Sequence, residues 1–95
     1  MVPTDKFHIT SGSLRQFTRK GDSGGDVTYN YCQTCPTVIF VQAEKLSGIN
    51  ILKMGTVDDD DVYDKVGYPK VEIYTKNRPS WCQAIPGAGQ KEGAA

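Results

Sequence analysis

Val27-Thr28-Tyr29-Asn30-Tyr31-Cys32-Gln33-Thr34-Cys35-Pro36-Thr37-Val38-Ile39-Phe40-Val41 is the stretch whose reading decides the fold. Its first five residues alternate in the manner of a half-buried strand, and Thr37 to Val41 is a β-branched and aromatic run that suits a second one. Between them stand two cysteines separated by two residues, a knuckle whose thiolates can converge on one metal ion. A structural zinc takes four ligands, so Cys32 and Cys35 supply half of a site. Two other readings stay open: a tight turn in which the thiols are incidental, and a redox pair. The redox reading needs Cys32 at a helix N-terminus to depress its pKa, whereas strand-forming residues flank the pair on both sides.

Ninety-five residues suit one domain that buries only about 60 to 65% of its unfolded surface, so apolar burial leaves a thin margin and an added staple is useful. Eleven basic against eleven acidic residues give a formal net charge of zero, without the clustered excess of Lys and Arg that a nucleic-acid footprint requires. No apolar run approaches the ~20 residues of a membrane span, and Met1 to Lys6 lacks the apolar core of a signal peptide. The chain therefore reads as soluble and cytoplasmic, with neither nucleic acid nor a membrane as partner. In a reducing compartment a Cys-x-x-Cys pair is more often a metal or redox site than a disulfide, and Cys82 is left over.

Phe7 to Thr10 and Leu14 to Thr18 read as two short strands about the Ser11-Gly12-Ser13 turn. His8, on the polar face of the first, is a rim histidine or a metal ligand. Arg19 to Asp26 is a Gly-rich polar loop; phosphate cradling would need a helix after it, and a strand follows. Ile49 to Met54 resumes as a strand. Asp58 to Asp61 is the one charge run, a solvated loop or the first turn of a short helix through Val62 and Tyr63, and it lacks the spacing of a calcium loop. Lys70 to Thr75 is the last clear strand, with Val71 and Ile73 on one face. Trp81 is expected to cap the core from a loop. Residues 86–95 carry no apolar pattern and are expected to be a disordered tail after a β domain of residues 1–85. Six or seven short strands and no convincing helix predict an all-β fold.

The ordered set of Phe7-His8-Ile9-Thr10-Ser11-Gly12, a Gly-rich loop, the Cys32 and Cys35 knuckle, Gly55-Thr56-Val57-Asp58, Pro69, the strand through Ile73, and Arg78 before Trp81 resembles the C-terminal two-thirds of the glutathione-dependent formaldehyde-activating enzyme family, which includes centromere protein V. The resemblance covers residues 2 to about 82. It implies a small β-tent of stacked antiparallel sheets around the knuckle and two zinc sites. Cys32 and Cys35 match half of the structural one; the other half and the three-cysteine catalytic motif are expected upstream of Met1. Pro36 stands where the family commonly has Gly, and Cys82 follows the tryptophan at a position that is not a ligand there.

By that resemblance the chain is a member of a zinc-dependent carbon–sulfur lyase family of the S-(hydroxymethyl)glutathione synthase type, with a glutathione adduct of formaldehyde as substrate and without the catalytic cysteines in this stretch. The alternative is a non-catalytic homodimer in which two copies pool their Cys32 and Cys35 knuckles around one zinc on a two-fold axis. A third reading is a metal-free β-sandwich used for binding.

Overall fold

The computed structural model describes residues 1–94 and divides into two compact units, Met1–Asp58 and Asp59–Ala95. The first is a five-stranded antiparallel sheet in the order β1-β5-β4-β3-β2, built from β1 (Val2–Pro3), β2 (Leu14–Lys20), β3 (Asp26–Cys32), β4 (Val38–Ala43) and β5 (Ile49–Leu52). The hairpin expected across the knuckle is present as β3 and β4. Phe7 to Thr10 forms no strand; Phe7 instead lays its ring on Phe40, with centroids 4.7 Å apart and a tilt of 54°. A tilted aromatic pair of this kind contributes about 0.5–1.5 kcal/mol beyond the area it buries.

The Gly-rich loop joins β2 to β3 as a hairpin turn. Gly21 N–H donates to the Gly25 carbonyl at 2.8 Å, and Gly24 takes a φ of 90°, open to glycine at little cost. A Cβ on Gly21 would stand 2.8 Å from Val27 Cγ2, so the close approach also demands glycine.

The core lies on β4. Phe40 and Val41 are the buried apolar residues, and they point to opposite faces of the sheet because strand side chains alternate. Asn30, opposite Phe40, is as deeply buried, as is Asn50. Buried amides need partners, and here they form a row across four strands. Gln16 Nε2 donates to Asn30 Oδ1 at 2.8 Å, Asn30 Nδ2 to Gln42 Oε1 at 3.4 Å, and Gln42 Nε2 to Asn50 Oδ1 at 3.1 Å. A register slip of one residue would turn these amides to the other face and leave the row unpaired. The pairing of β3 with β4 shifts after Asn30, so that Tyr31 meets Val38 and Ile39 is the extra residue of a bulge. Bulges bend and re-aim a strand, and this one precedes the knuckle.

The second unit opens with α1 (Asp60–Val66), where the Asp59 side chain accepts from the N–H groups of Asp61 and Val62 and caps the helix. The acidic run is therefore a helix start, and the prediction of no convincing helix is corrected by this one. The two-residue strands β6 (Val71–Glu72) and β7 (Gly89–Gln90) pair in parallel; the expected strand through Thr75 ends at Glu72, because Tyr74 turns into the left-handed region at φ 54°. Trp81 caps no core: the residue is 82% exposed.

Polar chemistry rather than apolar burial ties this unit together. Glu72 Oε2 accepts from Arg78 Nη2 at 2.9 Å, from Ile85 N–H at 3.0 Å and from Gln90 Nε2 at 2.9 Å. The Ile85 N–H, the Gln90 amide and the Arg78 charge hold the Glu72 carboxyl below its ordinary value. A lowered carboxylate stabilises the fold above its unfolded pKa, about 4.3, and that contribution is lost as pH falls through the lower folded value. Amide exchange at Ile85, corrected for intrinsic rate, is expected to gain protection between pH 3 and pH 6 in the native protein and to lose that gain in Glu72→Gln. Equal profiles in the two proteins would show that Glu72 does not order this loop.

Candidate functional site

Cys32 ends β3 and Cys35 stands in the loop that leads to β4. Cys32 N–H donates to the Thr37 carbonyl at 2.9 Å and closes the base of that loop. Inside it the Thr34 hydroxyl lies 3.2 Å from Cys32 Sγ and Thr34 N–H donates to the same sulfur at 3.5 Å. The Cys35 N–H faces the same sulfur. The Thr34 hydroxyl, then the N–H groups of Thr34 and Cys35, bring the Cys32 thiol down to about 7. Donors aimed at a sulfur favour its thiolate, the form that binds metals and attacks electrophiles. The Cys35 thiol in turn donates to the Thr37 hydroxyl at 3.2 Å. Cys32 is half-buried and Cys35 exposed, so both sulfurs can be reached from solvent.

The sequence names these two sulfurs as candidate ligands for a metal. Among the described residues no group of three or more His, Cys, Asp or Glu comes together in a way suited to one. His8 is exposed and joins no such group, and Cys82 is an exposed thiol of the second unit.

Arg15 is the residue that sequence reasoning missed. Its Nε and Nη2 donate to the Cys32 carbonyl at 3.4 and 3.3 Å, and Nη2 reaches the Cys35 carbonyl at 3.5 Å. The guanidinium lies over the Tyr31 ring, 4.7 Å from its centroid. Arg15 is the register partner of Tyr31, and only that pairing, which no local pattern reveals, brings it to the loop.

A family model described as glutathione-dependent formaldehyde-activating enzyme matches residues 1–77. The chain belongs to this family. The match to the formaldehyde-activating enzyme family takes in the whole first unit with its knuckle, continues through β6, and stops short of Arg78 and Trp81. No curated protein and no solved structure matched the chain significantly. The first unit of this formaldehyde-activating enzyme relative also bears an open cleft of about 270 Å³, lined by Thr4, Thr28, Glu44 and Ser47 among others and by none of the knuckle residues. No helix among the described residues is long and apolar enough to cross a membrane.

Proposed function

We propose that the chain belongs to the working part of a zinc-dependent carbon–sulfur lyase of the S-(hydroxymethyl)glutathione synthase type, in which Cys32 and Cys35 give two ligands to a structural zinc. The observation that carries this reading is the donor set around Cys32. Thr34 and Cys35 aim N–H groups at a sulfur whose thiol is already down to about 7, which lowers the proton cost of metal binding at neutral pH. The two thiols fit zinc, a borderline-soft ion that favours sulfur. In the family reaction the thiol of glutathione adds to the carbonyl carbon of formaldehyde: a carbon–sulfur bond forms, and the thiol proton ends on the new hydroxyl. Zinc, when bound, supplies Lewis acidity and keeps thiolates at neutral pH. Within this scheme the knuckle orients its two sulfurs and withholds the proton from Cys32, and the remaining ligands come from outside the described residues. A cytoplasmic, reducing setting suits the three free thiols.

The exposure of Cys35 favours a second reading, in which a second copy brings its own knuckle and four thiolates share one zinc on a two-fold axis. Elemental analysis with native mass separates the two. Zinc lost on dilution from a monomer, and regained when a segment bearing further cysteines is supplied, supports the lyase reading. About half a zinc per chain in a dimer supports the shared site. Protein that takes up no zinc in either form overturns both.

A further inference from the structure

A knuckle works as a ligand pair only while its loop keeps both sulfurs in place, and the residues that orient ligands are second in importance only to the ligands themselves. Most of that task falls to backbone N–H groups inside the loop, but Pro36 contributes no N–H, so a donor from outside counts for more. Arg15 is such a donor. It comes from the neighbouring strand β2, its fork reaches the carbonyls of both cysteines, and its planar face rests on Tyr31, one residue before the first of them.

We infer that Arg15 is a positioning residue for the knuckle: its guanidinium clamps the Cys32 and Cys35 carbonyls from the adjacent strand and holds both sulfurs where one metal ion can take them. The inference rests on the zinc reading above. It follows from the geometry of the fork, which spans two acceptors while its face covers an aromatic ring, a combination open to a planar guanidinium and closed to an ammonium. The three hydrogen bonds, at 3.3 to 3.5 Å, are at the long end of the range. The clamp is therefore a bias on the loop conformation rather than a staple.

The test compares the native chain with Arg15→Ala and Arg15→Lys, under reductant, by two readouts. The first is titration with cobalt(II), followed by its thiolate charge-transfer absorption. Arg15→Ala is expected to bind about tenfold more weakly, the lower end of the loss seen for residues that orient metal ligands, and Arg15→Lys to stay weak although it keeps the charge. The second, which needs no metal, is amide exchange at Thr34 and Cys35, expected to speed up in both variants while the amides of β4 and β5 keep their rates. Native affinity and native exchange in Arg15→Ala overturn the inference. Full recovery by Arg15→Lys also overturns it, since charge alone would then account for the effect. A native chain that takes up no cobalt overturns the zinc reading and the ligand-holding role with it, and the exchange rates then show separately whether Arg15 orders the loop.

Discussion

Cys32→Ser is expected to reduce bound zinc to background and to lower the melting temperature of the zinc-loaded protein by about 10–20 °C, when the native protein is measured at zinc about a hundredfold above its dissociation constant. Serine keeps the size of the side chain and removes the soft, ionisable sulfur, so the variant tests ligation rather than packing. Cys35→Ser should follow it, and Cys82→Ser should leave zinc content untouched. The pH dependence supplies a second signature. The Cys32 thiol is at about 7 in the folded chain, below its ordinary value near 8.5. Interactions with the thiolate therefore stabilise the fold fully above the unfolded value and are lost as pH falls through about 7. Zinc affinity should fall as the pH is lowered, by up to about tenfold per pH unit for each ligand thiol whose proton must be displaced, with the Cys32 share of that slope setting in below about 7. Competition titration with a chromophoric chelator across that range measures the slope. A Cys32→Ser protein that keeps its zinc and its melting temperature would remove the knuckle from the metal account altogether.

The knuckle and its hairpin were legible because both signals are local: period-two alternation, a turn, and two cysteines at a fixed spacing. The buried amides were not. Along Val27 to Tyr31 the apolar phase is Val27, Tyr29 and Tyr31, so a reading by alternation turns Asn30 to solvent, yet it is 2% exposed. Asn30 sits opposite Phe40, on which Phe7 packs, and bonds Gln16 and Gln42 on two other strands; none of this is written near Asn30. Arg15 was hidden for the same reason, because its role depends on cross-strand register.

The second unit shows the opposite failure. Trp81 was read inward on hydrophobicity alone, and Val71 and Ile73 were read as one face of a strand; all three are about half exposed or more. What orders this unit is one carboxylate oxygen with three donors drawn from Arg78, Ile85 and Gln90. Gly89 and Gln90 carry no strand signal; backbone bonds from Gly89 to Lys70 and from Lys91 to Glu72 pair them with β6, and the Gln90 side chain joins the same junction, which a hydrophobic pattern cannot reveal.

Phe40→Ala is expected to cost about 3–5 kcal/mol, and for this sheet that is most of what there is. A 58-residue unit has on the order of 3–9 kcal/mol of stability in total. Phe40 and Val41 are the buried apolar side chains that support it, so no second cluster takes up the loss. The change also removes the ring on which Phe7 packs, exposing the face that carries Asn30. Far-UV circular dichroism during urea unfolding should show a midpoint near or below the start of the native transition. Phe17→Ala, at a residue that is 60% exposed, should shift the midpoint little. Phe7→Ala should destabilise in the same direction, and the double variant should cost less than the sum, since the two rings share one contact. A native midpoint in Phe40→Ala would mean that the sheet is held by its hydrogen bonds and amide row alone. The same residue also links stability to function. Phe40 lies one residue beyond the bulge on the strand that leaves the knuckle, so its loss should loosen Cys35 and weaken metal uptake, whereas Cys32→Ser in zinc-free protein should leave the urea midpoint nearly unchanged at pH 6. That asymmetry follows from the order of dependence: the sheet can stand without the metal pair, but the pair cannot be held in place without the sheet.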